Sequence, residues 1–279
     1  MELSLDDLRS LEIPVPHVNQ QRATTAFLDH ETAQIDELMA EKEKMLGILE
    51  EKRSALISRA VTEGIDPKAI MKSSGVNWLG KIPHGWETHR AKRLLAVRDD
   101  RSEDGSEELL TVSHLTGVTP RAEKDVYMFK ADTLEGYKKC GPGDLAINTL
   151  WAWMGAMGTA KVEGIVSPDY HVYRIGPRFD PAFIEYLCRS RPFVAEVNRH
   201  SKGVWSSRLR LYPEAFFNIA LPVPSLDEQR AIVSHLDSQL QGSAELAAAL
   251  RDSIRLLGER RTALITAAVT GQVPVPEMN

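Results

Sequence analysis

Two stretches of the chain repeat apolar residues at three- and four-residue steps. Ile35, Leu38, Met45, Leu49, Leu56 and Ala60 recur in this way, interrupted by Lys42 and Arg53; Leu246, Leu250, Ile254, Leu257, Leu264 and Ala268 do likewise. That period puts each set on one face of a helix. Neither stretch holds an internal proline, so each predicts one unbroken helix, and about thirty residues at 1.5 Å each give a rod of roughly 50 Å. A narrow stripe on so long a rod needs a partner rod. The expected interface sets Ile35, Leu38, Met45, Leu49 and Leu56 against Leu246, Leu250, Ile254, Leu257 and Leu264 in an antiparallel coiled coil. Gly47, Gly242 and Gly258 weaken the helices locally. Between the rods the period changes. Leu109–Ser113, Asp144–Asn148 and His171–Ile175 alternate β-branched and aromatic residues like short strands, while Asp180–Ser190 and Pro192–Val197 read as short helices. The fold class expected is α+β, one mixed α/β domain flanked by two long helices.

The two rods belong to a repeat. Ile13-Pro-Val-Pro-His-Val-Asn-Gln-Gln-Arg-Ala recurs as Leu221-Pro-Val-Pro-Ser-Leu-Asp-Glu-Gln-Arg-Ala, and Glu51-Lys-Arg-Ser-Ala-Leu-Ile recurs as Glu259-Arg-Arg-Thr-Ala-Leu-Ile, all at a constant offset of 208. About 20 of about 50 aligned positions are identical, where roughly three would be chance. Each unit opens with Pro-x-Pro, which forces an extended segment, then offers helix-start chemistry at Asn19 or at Ser225-Leu-Asp-Glu. Gly64 with Pro67, and Gly271 with Pro274, are placed as helix stops. Upstream, Leu3, Asp6, Leu8 and Leu11 pair with Leu211, Glu214, Phe216 and Ile219, so Met1 is expected to fall inside a repeat unit.

Composition narrows the class. The chain has 279 residues, 43% hydrophobic and 26% charged, ordinary for a globular protein with a real core. No apolar run is long enough for a membrane span, and Met1–Ser10 lacks the apolar region of a secretory signal. Cys140 and Cys188 cannot make a disulfide framework, so a cytoplasmic setting is expected. The net charge of −5 excludes an indiscriminate polycation. The acidic excess sits in the flanks and the middle is slightly basic, which leaves room for a DNA-facing middle.

Catalytic signatures are missing. There is no Gly-rich phosphate loop, dinucleotide fingerprint or Asn-Pro dipeptide. His30-Glu31 has no second histidine at metal-binding spacing, Pro168-Asp169 has no Glu-x-Lys following closely, and no metal site is expected. Two stretches suit contact with a ligand instead. One is Asn148-Thr-Leu-Trp-Ala-Trp, where Trp151 and Trp153 stand near glycines after a strand; core packing is the other reading for these tryptophans. The second is Arg199–Arg210, which packs Lys202, Trp205, Ser206, Ser207, Arg208 and Arg210 around Gly203. Arginine and lysine neutralise phosphates and read guanine edges, and hydroxyls add adaptable hydrogen bonds. Lys92, Arg93, Arg98 and Arg101 are further candidates, with surface decoration as the alternative.

The motif Leu221-Pro-Val-Pro-Ser-Leu-Asp-Glu-Gln-Arg-Ala-Ile-Val, the Arg260-Arg-Thr-Ala-Leu-Ile rod ending and Ser74-Gly-Val-Asn-Trp-Leu-Gly-Lys-Ile-Pro together resemble the specificity subunit of type I restriction–modification systems. The resemblance covers essentially the whole chain. It implies two long conserved helices in an antiparallel coiled coil separating target recognition domains, each reading half of a bipartite double-stranded DNA site. It also implies no catalytic centre or cofactor on this chain. A methyltransferase subunit and a restriction/translocase subunit would dock on it and carry S-adenosylmethionine, Mg and ATP. The domains expected are a remnant tail of a preceding recognition domain (1–16), the first helix (17–64), the recognition domain (65–224), and the second helix with a C-terminal tail (225–279). One recognition domain instead of two suggests a half-sized form, acting as a monomer or restoring the paired geometry as a homodimer. An assembly module that competes for the methyltransferase without productive DNA reading is the alternative function.

Overall fold

The computed structural model describes residues 10, 15–123, 133–204 and 209–275. Two helices dominate it: α1, Val18–Glu63, and α5, Leu226–Val269, of 46 and 44 residues. At 1.5 Å per residue they run roughly 69 and 66 Å, longer than the apolar stripe alone predicts. Ser225 starts α5 as expected, its Oγ accepting from Glu228 N at 3.3 Å. Asn19 plays no such part in α1, where His17 precedes the helix and its carbonyl accepts from Gln20 and Gln21.

The chain divides into two compact units, one made of residues up to Glu50 with those from Ser243 onward, the other Glu51–Gly242. The division falls inside both helices, not at their ends. The reason lies in the second unit's core, where Ile57, Ala60 and Val61 of α1 and Ile232 and Leu236 of α5 join one cluster with Trp86, Phe183 and Phe216. The C-terminal end of α1 and the N-terminal end of α5 thus share a core, as antiparallel pairing requires. In the first unit the opposite ends meet, with Arg261 Nε donating to Asp36 Oδ1 at 2.8 Å. The stripe is only partly buried there. Ile35 and Leu250 are buried and Leu49, Ile254, Leu257 and Leu264 half-buried, as is Leu56 further along α1, but Leu38, Met45 and Leu246 are exposed, contrary to the expected interface. Around the helix from Ile35, Leu49 lies about 40° away, Leu38 about 60° and Met45 about 80°, all on one side, and burial falls off in that order as the stripe turns out of the contact.

In the second unit a four-stranded antiparallel sheet runs in the order β4 (Leu95–Arg98), β11 (His171–Ile175), β8 (Leu145–Ile147), β9 (Met157–Thr159). Alternation along its strands feeds two cores. Leu145, Ile147 and Tyr173 enter the large cluster, whereas Ala146 and Val172 enter a smaller one with Leu110, Val112, Val118 and Cys140. That second core lies under the hairpin of β5 (Leu110–Ser113) and β6 (Gly117–Pro120). Three further antiparallel pairs complete the strands described: β1 (Met71–Ser73) with β2 (Lys81–Pro83), β3 (Glu87–Arg90) with β12 (Ala220–Val223), and β7 (Lys138–Cys140) with β10 (Gly164–Val166). Pro222 of the second Pro-x-Pro lies in β12, which pairs on one side only and so can lack an N–H. Two short helices follow the sheet. Asp180 caps α2 (Pro181–Arg189), accepting from Ala182 N at 2.9 Å, and α3 spans Arg191–His200. A six-residue helix α4, Pro213–Asn218, leads into β12. Both cysteines are buried thiols; burial pushes Cys140 up to about 12 and also raises Cys188. No helix among the described residues is long and apolar enough to cross a membrane.

Candidate nucleic-acid interface

Strand β8 runs directly into Asn148 and Thr149, both buried. Asn148 Nδ2 donates to Val112 O at 3.3 Å and to Tyr170 Oη at 2.9 Å, and its Oδ1 accepts from Leu150 N at 3.2 Å. Both ends of the amide are therefore engaged inside the protein, which corrects its expected role as a ligand contact. Thr149 Oγ1 donates to Asp169 O at 2.9 Å, and Thr149 O accepts from Leu211 N at 3.2 Å. A turn at Ala152–Met154 then closes on Gly155, whose φ of 92° is left-handed and suits glycine. Trp151 and Trp153 stack, ring centres 6.3 Å apart and planes 24° from parallel. Their environments differ. Trp153 is half-buried with its Nε1 donating to Leu150 O, while Trp151 is 48% exposed.

Beside this turn the chain returns in a short ladder. Lys202 N donates to Arg210 O and Arg210 N to Lys202 O, both at 2.9 Å. Trp205, Ser206, Ser207 and Arg208, which the sequence also points to, lie outside the described residues. Residues directly opposite in an antiparallel pair send their side chains to the same side, where like charges repel. Lys202 and Arg210 are both exposed, and neither makes an ion pair among the described residues. An anion between them would relieve the repulsion. Tyr212, exposed two residues on, was not singled out in sequence; an aromatic next to the basic run was the available signal.

The other cations separate into two groups. Arg98 is paired with Asp144, and its Nε donates to Asp100 at 3.0 Å. Burial works against its charge, but the two carboxylates hold its pKa above the ordinary value. Arg101 bonds Asp99 Oδ1 at 3.0 Å and Gly136 O at 3.1 Å, and Arg199 grips Glu196 through two bonds of 2.8 and 2.6 Å. Of these, Arg98 is engaged within the fold, which corrects its expected role as a ligand contact, whereas Arg101 and Arg199 make local pairs and keep exposed side chains. Lys92 and Arg93 differ, standing exposed on the turn Ala91–Arg93 without an ion pair among the described residues. Helix α4, which starts just after Tyr212, packs against that turn. Lys138, missed in sequence, is buried with Nζ donating to Tyr170 O at 2.7 Å, and burial lowers its pKa. Burial, helped by Lys138, also lowers that of His171. Among the described residues no group of three or more His, Cys, Asp or Glu could hold a metal ion.

No protein-family model matches the chain. In sequence it is 22% identical over 287 aligned positions to the type I restriction enzyme MjaVIII specificity subunit of Methanocaldococcus jannaschii, an alignment that takes in 97% of this chain and 64% of that protein. The chain thus spans just under two thirds of its curated relative's length. In structure it matches a chain from work on complex assembly and conformational transition of the type I restriction–modification system, with TM-score 0.69, 18% identity, and coverage of 94% of this chain and 62% of the other. It also matches the HsdS subunit of Thermoanaerobacter tengcongensis, with TM-score 0.52, 18% identity, and coverage of 96% and 62%. The α+β fold with two long helices is therefore that of HsdS-like specificity subunits.

Proposed function

We propose that this chain is a non-catalytic DNA-recognition subunit of a type I restriction–modification complex, acting in the cytoplasm. Its middle domain reads one half of a bipartite double-stranded site. Its helices scaffold a methyltransferase subunit and a restriction/translocase subunit, which bring S-adenosylmethionine, Mg and ATP. The observation that carries the reading is the likeness along 97% of the chain to a specificity subunit. The opposed cations Lys202 and Arg210 beside exposed Trp151 support it, since phosphates answer paired cations and aromatic rings pack on sugars and bases.

The competing reading, an assembly module without productive DNA reading, is favoured by Leu38, Met45, Ile48, Leu246 and Leu256, exposed apolar side chains on the rods that suit partner helices. One experiment separates the two. A randomised duplex pool is shifted electrophoretically by the full chain, with and without the methyltransferase subunit. Enrichment of one motif supports recognition. Binding of the methyltransferase with no motif enriched supports the assembly module. Replacing both Lys202 and Arg210 by alanine should weaken binding to all duplexes and lower the salt slope by about two.

A further inference from the structure

We infer that Asn148 and Thr149 are positioning residues for DNA specificity, locking the surface segments that carry the candidate contacts into one arrangement; this rests on the recognition reading above. The two adjacent residues are joined to three separate segments, at Val112, Asp169–Tyr170 and Leu211, and to Leu150 directly after them. Asn148 donates to β5 at Val112 O and to the Tyr170 hydroxyl, and its own Oδ1 holds Leu150 N at the start of the Trp151 turn. Thr149 Oγ1 donates to Asp169 O, and the Thr149 main-chain carbonyl accepts from Leu211 N, the residue directly after Arg210, so the side chain ties down the strand end on which that ladder rests. Trp151 lies two residues from Thr149 on one side of this junction, and the Lys202–Arg210 ladder ends on the other.

The placement explains why two polar side chains are buried at the end of a central strand. A strand end needs no polar residue to finish a core, and leucine or valine would fill the volume. A side chain with a fixed set of donors and acceptors does what an apolar one cannot, because it fixes distances and directions between loops. Base readout depends on such fixing, since hydrogen bonds to base edges weaken steeply with misplacement. Phosphate contacts by long lysine and arginine side chains tolerate more movement. Loosening the junction should therefore erode discrimination between sequences and leave general affinity in place.

The test uses the full chain with its methyltransferase subunit, the duplex enriched from a randomised pool, and a shuffled duplex of the same composition. Thr149→Val keeps the shape and removes the hydroxyl donor. It should lower the ratio of the two affinities about tenfold, while Thr149→Ser restores it to within about twofold. The salt slope on the shuffled duplex should not move. An unchanged ratio for Thr149→Val, in a preparation folded by circular dichroism, overturns the proposal; a changed salt slope does so too, because it marks a direct phosphate contact. Should Thr149→Val fail to fold, Tyr170→Phe removes only the hydroxyl that Asn148 donates to, and carries the same expectation. A wild-type complex that enriches no duplex overturns the recognition reading first, and the proposal with it.

Discussion

The two copies of the internal repeat share sequence and local geometry, yet differ in what covers them. Gln21 and Gln229 are equivalent at the offset of 208, and each donates through Nε2 to the proline carbonyl five residues back, Pro16 O at 2.8 Å and Pro224 O at 2.9 Å. There the likeness stops. Gln229 is fully buried, accepting from Asp180 N at 2.8 Å and donating to Arg178 O at 2.9 Å, whereas Gln21 is exposed. Val61 is 0% exposed within the second unit's core, and its equivalent Val269 is 60% exposed. Val223 is buried, and Val15 is exposed. Similar residues thus set the same glutamine-to-carbonyl bond and the same long helix. What differs is the presence of a domain against them, and that decides burial and stability.

The largest effect should come from placing a charge at the two equivalent valines. Val61→Asp buries a carboxylate in an apolar core and should cost at least about 3 kcal/mol. Val269→Asp places it in water and should cost less than about 0.5 kcal/mol. Urea titration followed by circular dichroism measures both, because α1 and α5 run through both units, and tryptophan fluorescence adds the domain unit alone. All five tryptophans lie between Trp78 and Trp205, so fluorescence reports on the Glu51–Gly242 unit. Similar losses for the two variants would break the contrast.

Next come the equivalent glutamines. Gln229→Ala leaves the buried Pro224 carbonyl and two part-buried groups, Asp180 N and Arg178 O, without their partner, which should cost about 2–3 kcal/mol. Gln21→Ala removes one exposed hydrogen bond and should fall within the scatter of the same titration. Gln229→Glu sharpens the point. It keeps the acceptor for Asp180 N but faces two carbonyls with no donor, and should be no better than alanine.

Ion pairs give a smaller contrast of the same kind. In the domain unit, Asp144 has only 9% of its side chain exposed and pairs with Arg98, so Asp144→Ala leaves Arg98 with Asp100 alone and should cost about 1–2 kcal/mol. On the rods, Asp36 and Arg261 are about half exposed, and Asp36→Ala should be undetectable above 0.1 M salt on the order of which screening is effective.

Much of this contrast was legible in the sequence and part was not. The helices were, because a 3.6-residue period sustained without proline has few other solutions. So were β5, β8, β11, α2 and α3, where turn residues bound short apolar runs. The exposure of Leu38, Met45 and Leu246 was not, since periodicity marks a face but does not say how much of it one neighbour covers. The site divided along the same line. The residue types of Lys202, Arg210 and Trp151 signalled surface chemistry, whereas Asn148 and Arg98 carry the same signals and are engaged within the fold. Their partners Tyr170 and Asp144 lie 22 and 46 residues away in the chain, and only the fold brings them into contact.

The smallest effect expected is one of pH, and it too should fall on the domain unit. Glu196 on α3 is buried, with Arg199 donating to both its oxygens and His200 Nε2 at 3.1 Å. The hydrogen bonds from Arg199, with its charge and that of His200 adding, outweigh burial and hold the Glu196 carboxyl below its ordinary value of 4.5. A carboxyl held low in the folded state binds its proton more readily when unfolded, so the stability it contributes is complete above 4.5 and is lost as pH falls through the lower folded value. Tryptophan fluorescence should therefore show the melting temperature dropping on acidification in this window. Glu196→Gln keeps the shape but cannot ionise, and should lower stability at neutral pH while making its decline below pH 4.5 shallower. If the wild type and Glu196→Gln show parallel declines, Glu196 does not set the acid sensitivity of the domain unit.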